Sequence, residues 1–388
     1  MRITEIRDIS VRLEGDVSNA VVSFSEHDVT LLALVTDVVR NGRPVTGLAF
    51  NSIGRFAQSG ILRHRINPRV LAAAPDELLA EDRNLFCPGR VVNAAMRNEK
   101  PGGHGDRAGA VAALELAIWD VNARLLDEPA YATIARNFGL PVERRPVPVY
   151  AAGGYYYANG SRSRLRDELL HYRDMGFDSF KMKIGGTSLE EDMERIETAL
   201  EVAGSGDRLA VDANGRFDLA QAHLYAKAIE PLGLRWYEEP GDPLDYASNS
   251  KLTAEYPTPV ATGENLFSWP DVRNLVNFGG MRPRIDVFQM DAGLSYGLGE
   301  YAHMIDVMEA EGFNREQAFP HGGHLINLHI AAGLGLGGCE AYPGVFQPFG
   351  GYPAACNIGD GVVWPTDAPG FGLEQKVELA PHIARLLD

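Results

Sequence analysis

Asp212, Glu238 and Glu264 lie 26 residues apart in turn, each closing a short apolar run: "LAVDANG", "RWYEEP" and "VATGEN". Three carboxylates gathered in a low-dielectric site cannot all stay ionised unaided. A hard divalent cation resolves that conflict, and an all-oxygen ligand set suits Mg²⁺. A single acid at a strand end would read as a cap for the next helix; three in one spacing favour the metal. Upstream, "SFKMKIGG" (179–186) sets Lys181 and Lys183 inside an apolar run. Side chains alternate along a strand, so the two lysines share a face. An edge strand would turn such a pair to water as a guard against aggregation. Across a barrel mouth from the downstream acids the pair has another use. Lys181 stays charged and binds a carboxylate; Lys183, beside that cation and a metal, has its pKa lowered into the range of a general base. "FQMDAG" then supplies Asp291 and "AFPHGGH" supplies His321. A carboxylate on a neighbouring strand orients an imidazole and raises its basicity. His324 and His329, on the helix that follows, read as packing or capping residues.

These side chains need a scaffold in which strand ends converge. From about Arg145 the chain repeats an apolar strand, a turn and a helical stretch. The strands fall at Val147–Ala151, Asp178–Ile184, Arg208–Asp212, Arg235–Glu238, Pro259–Glu264, Arg284–Asp291, Gln317–His321 and a short run ending near Glu340. Segments such as Leu189–Val202 and Leu219–Ile229 carry helical periodicity. Eight strands in βα alternation predict a closed parallel barrel, whose active site lies at the C-terminal strand ends. An open doubly wound sheet is the alternative, weakened by the lack of GxGxxG after the first strand. Before Arg145, Arg2–Leu13, Ala20–Phe24, Thr30–Val39 and Pro44–Phe50 read as strands, with an Asn41-Gly42 hairpin turn. Helices follow, strongest at Arg107–Leu126. The fold class is therefore α/β: a modified TIM barrel, (β/α)7β, over 126–359, with an α+β capping domain over 1–125 and a tail from about 360 to 388 packing on the cap. "EKPGGHGD" (99–106), with three glycines and a proline, reads as a mobile loop.

The net charge of −16 disfavours a nucleic-acid partner. It also repels anions at long range, so an anion site must be local and cationic. No apolar run approaches the ~18 residues of a membrane span. The N-terminus reads as a strand and not as a signal peptide. Cys87, Cys339 and Cys356 are few and scattered, which points to a reducing cytoplasm.

The ordered set resembles the mandelate racemase subgroup of the enolase superfamily. The resemblance rests on Lys181 and Lys183, on Asp212, Glu238 and Glu264, on Asp291 with His321, and on Glu340 in "GGCEAYPG". "LAIWDVNARLLDEPAY" (116–131) is similar to the helix that enters the barrel in that group. The resemblance implies Mg²⁺ on a substrate carboxylate, removal of the α-proton, and an enediolate. "GLAFNSIGRFAQSG" (47–60), "EKPGGHG" and "AFPHGGHLINLH" look like the corresponding stretches of D-tartrate dehydratases. That implies loss of water from D-tartrate to give oxaloacetate, with Lys183 as base and His321 as the acid that protonates the departing hydroxyl. Lys100 would then meet the distal carboxylate and Glu340 the metal-bound one. Asn19, Ser52 and Tyr156 would reach hydroxyls. The alternatives are dehydration of another acid sugar, racemisation or epimerisation by the same two bases, and a catalytically idle metal-binding scaffold. The expected partner is a small hydroxy (di)carboxylic acid, and the expected assembly a homo-oligomer.

Overall fold

The computed structural model describes residues 1–157 and 162–388. Three antiparallel strands, β1 (Ile3–Arg12), β2 (Asp28–Arg40) and β3 (Arg43–Phe50), form the cap sheet. Asn41 and Gly42 both have positive φ, 50° and 74°, as a tight two-residue hairpin requires. The Asp106–Leu126 helix lies on β2 and β3, and a Cβ at Gly47 would come 2.2 Å from Ala117 O. Glycine is what allows that approach. Asp120 on this helix accepts from Leu48 N (2.8 Å) and Phe371 N (2.6 Å), pinning helix, cap sheet and C-terminal segment together.

Ala20–Phe24 is not a strand. Asn19 Oδ1 accepts from Val21 N (2.8 Å) and Val22 N (2.7 Å), an Asx turn that takes the amides a strand would have paired. The 99–106 loop is fastened. Glu99 pairs with Arg65, Arg69 and Arg107, while Arg107 donates to Lys100 O (3.0 Å) and to Gly102 O. His104 Nδ1 lies 3.0 Å from Tyr296 Oη.

The barrel strands run β4 (Val147–Gly153), β5 (Phe180–Lys183), β6 (Leu209–Asp212), β7 (Tyr237–Glu238), β8 (Val260–Thr262) and β9 (Val287–Phe288), all parallel. The seventh position is a single bridge, Phe288 to Ala318, with Phe319 N on Phe288 O at 2.8 Å. β10 (Cys339–Ala341) pairs parallel with β4 and closes the ring, as a (β/α)7β pattern demands. The helices Leu189–Ala203 and Leu219–Ile229 fall where the periodicity puts them. After β11 (Asn357–Gly359), β12 (Val362–Trp364) pairs antiparallel with the start of β4, beneath the barrel. The tail thus divides: β12 belongs to the barrel sheet, and the Ala380–Leu387 helix packs on β1 and β2. No helix among the described residues is long and apolar enough to cross a membrane.

Candidate active site

Lys183 pairs with Asp212 across β5 and β6, and Asp212 with Glu238 across β6 and β7. Those two acids stand in register at one level. Glu264 does not: Glu238 pairs with Ala261, three residues earlier. β8 ends at Thr262, and Gly263 turns with φ 129°. Carboxylate oxygens of Asp212, Glu238 and Glu264 nonetheless come within 4.8 Å of one another. An all-oxygen cluster of this size fits a hard divalent cation.

Both lysines enter this cluster, because all four residues of β5 are buried. Lys181 Nζ lies 2.5 Å from Glu238 Oε1, 2.7 Å from Glu340 Oε1 and 3.5 Å from Asp212 Oδ2. Burial opposes its charge, but Glu238 and Glu340 hold its pKa well above the ordinary lysine value. Lys183 Nζ donates to Asp212 Oδ2 at 2.5 Å. Burial pushes Asp212 up, yet the two lysines hold it well below the usual carboxylate range. Glu238 is raised by burial and by the neighbouring Asp212 charge. Gln289 Nε2 (2.7 Å) and Trp236 Nε1 (2.9 Å) both donate to its Oε2.

His321 Nδ1 lies 3.3 Å from Asp291 Oδ2, and its Nε2 lies 3.1 Å from Tyr342 Oη and 3.6 Å from Glu264 Oε2. With Nδ1–H on Asp291, Nε2 is the nitrogen free to exchange a proton. Burial lowers this imidazole, but Glu264, the Asp291 hydrogen bond and Glu340 outweigh it and raise its pKa to about 9. Asp291 is fixed by Gly293 N (2.8 Å) and Asn327 Nδ2 (3.2 Å). Glu340 Oε2 accepts from Gly322 N at 2.9 Å. His324 caps the Leu325–Leu334 helix through Asn327 N, and His329 is buried within it; burial lowers the two to about 4 and about 3. Both are packing and capping residues, as the sequence indicates.

A cavity of about 320 Å³ opens above the cluster. Lys183, Glu264 and His321 line it, joined by Asn19, Arg55, Tyr155, Asn214, Glu239, Asn265 and Tyr342. Three residues assigned to the substrate from sequence stand elsewhere. Ser52 is buried beneath the site, its Oγ 3.1 Å from His324 Nε2. Tyr156 donates to Asp192 at 2.8 Å, and Tyr155 faces the cavity in its place, because Gly154 (φ 58°) breaks the strand alternation. Lys100 is exposed and does not line the cavity, its backbone being held by Arg107. Asn19 is at the cavity, with Oδ1 committed to its own turn. Arg55 and Glu239 lacked a usable signal: Arg55 sits in an irregular loop, and Glu239 adjoins the more regular Glu238. Asn214 and Glu239 both carry positive φ, 48° and 35°. Such backbone costs of order 1–3 kcal/mol and collects at functional sites.

The family described as Enolase C-terminal domain-like matches residues 164–379. An arabinonate dehydratase of Saccharolobus solfataricus is 30% identical over 66% of each chain. An L-talarate/galactarate dehydratase of Salmonella typhimurium is 25% identical over 93% of this chain and 85% of its own. The fold superimposes on a racemase from Streptomyces coelicolor A3(2), solved with bound magnesium, with TM-score 0.79, 22% identity and 98% of both chains covered. The fold agrees with these matches, and the chain belongs to the Enolase C-terminal domain-like family of the enolase superfamily.

Proposed function

We propose that the protein is an Mg²⁺-dependent acid-sugar dehydratase whose substrate is D-tartrate and whose product is oxaloacetate. One observation carries the reading: Lys183 and His321 line a single small cavity beside the three-carboxylate cluster. Asp212, Glu238 and Glu264 would hold the metal, which when bound would supply Lewis-acid stabilisation to a substrate carboxylate. Lys181 and Glu340 position that carboxylate. Lys183 takes the α-proton. His321, oriented by Asp291, delivers a proton from Nε2 to the departing β-hydroxyl. The enol that results tautomerises to the keto acid. Two proton-transfer groups on different strands, β5 and the seventh, suit elimination across a carbon–carbon bond. Two dehydratases of acid sugars among the relatives favour elimination over racemisation. The choice of D-tartrate rests on the loop resemblance.

The test is a panel of acid sugars, monoacid and diacid, scored for keto-acid formation with Mg²⁺ and with excess EDTA. D-tartrate should convert, and EDTA should abolish the reaction until Mg²⁺ is restored. Turnover of another acid sugar without D-tartrate would refute the substrate; full activity in EDTA would refute the metal.

A further inference from the structure

We propose that Arg55 binds the distal carboxylate of the substrate and selects sugar diacids over the corresponding monoacids. The inference rests on the acid-sugar reading above and extends it. Arg55 lines the same cavity as Lys183, Glu264 and His321. Its Nη1 donates to Gly54 O at 2.9 Å and its Nη2 to Asn265 Oδ1. Asn265 donates in turn to both oxygens of Glu239, at 2.9 and 3.1 Å. The guanidinium lies 5.7 Å from the Phe267 ring centroid. It is therefore held in place across the cap–barrel seam. These hydrogen bonds use two of its five N–H donors. No carboxylate in the described residues lies within ion-pair distance of it.

The other cations of the site are engaged. Lys181 is bound to Glu238 and Glu340, Lys183 to Asp212, and His321 to Asp291. The remaining titratable walls, Glu239, Glu264 and Asp242, are carboxyl groups and offer a second carboxylate no cation. Arg55 is the place left for it, and a guanidinium fork matches carboxylate geometry. Asn265 directly follows Glu264, so the two anchor points stand close. A terminal CH₂OH would offer Arg55 only a neutral acceptor. The relatives leave the question open, since arabinonate has one carboxylate and galactarate two.

The experiment is equilibrium binding by calorimetry to the full chain with Mg²⁺, in a Lys183→Ala background that prevents turnover. The probes are D-tartrate against D-threonate, which has CH₂OH in place of the distal carboxylate, and galactarate against galactonate. The proposal expects one diacid to bind on the order of 10²-fold tighter than its monoacid. Arg55→Met should bring that ratio near one without shifting the unfolding midpoint enough to unfold the protein, and Arg55→Lys should retain part of it. A ratio untouched by Arg55→Met overturns the proposal. So does equal weakening of diacid and monoacid, absence of diacid preference in the parent, or a ratio that collapses in Lys100→Ala instead. If only the galactarate pair shows the Arg55-dependent ratio, the inference stands and D-tartrate is the wrong substrate.

Discussion

Asp291 governs His321 through one ring nitrogen, and that nitrogen decides which partial reaction survives a substitution. Asp291→Asn replaces an acceptor for Nδ1–H with an amide that can present its NH₂ instead, so the ring loses both its fixed tautomer and a stabilising charge. Partners of this kind are typically worth ~10–100-fold. Elimination should fall by about that factor, while exchange of the substrate α-proton, which needs Lys183 alone, falls less. Rates of keto-acid appearance and of proton loss, measured on the same sample, separate the two; an equal fall in both would mean Asp291 serves the whole site and not His321. That Asp212, Glu238, Glu264, Lys183, His321 and Asp291 gather at one end of the barrel was legible because each lies at the close of a short apolar run, where a barrel's strand ends converge. The cap residues were not. Ser52 and Arg55 are three positions apart in an irregular loop, which has no period to say which one faces the cavity and which one is buried under Gly322.

At the scale of elements, strand ends and helix starts do the positioning. Gly263 lets Glu264 leave the register of β8, and a Cβ there would sit 3.1 Å from Gln289 N and Met290 N. Gly263→Ala should cost roughly 1–3 kcal/mol of stability and weaken Mg²⁺ binding, read by denaturant unfolding and by calorimetry. Unchanged metal affinity would show that the turn does not set the third ligand. Equal spacing in sequence does not reveal that Glu264 lies two residues beyond the end of β8, out of register with Asp212 and Glu238. A second element-level device joins the Asp106–Leu126 helix to the barrel. Glu115 accepts from Leu298 N (2.8 Å), Gly299 N (3.0 Å) and Trp119 Nε1 (2.8 Å). Burial raises its pKa from 4.5 to about 7 despite those donors. Between these two values the folded chain keeps a proton that the unfolded chain releases. The group's stabilising contribution is therefore full below about pH 4.5 and is lost as pH rises through about 7. Glu115→Gln removes this dependence. Thermal unfolding across that window should show wild type losing ground to the variant as pH rises; parallel curves would mean Glu115 is ionised throughout.

For the whole molecule, cap and barrel share one cavity. Mg²⁺ that binds only the folded chain at ~100 times its Kd should add about 2.7 kcal/mol to stability. Asp212→Asn should remove most of that gain; a midpoint indifferent to Mg²⁺ in the wild type would argue against the site. The barrel was readable from its repeating period, as was the cap from its hairpin. How the tail divides was not, since β12 is a short strand recruited by the open start of β4. The central claim is that Lys183 removes the α-proton and His321 releases the hydroxyl. The direct measurement is ¹H NMR of D-tartrate in D₂O with wild type, Lys183→Ala and His321→Asn, following substrate proton loss and keto-acid formation separately. Wild type should show both. Lys183→Ala should show neither, each slowed by at least the ~10²–10⁴-fold typical of a lost acid or base. His321→Asn should exchange the α-proton without eliminating. Normal elimination by His321→Asn, or α-proton exchange by Lys183→Ala, would contradict the account.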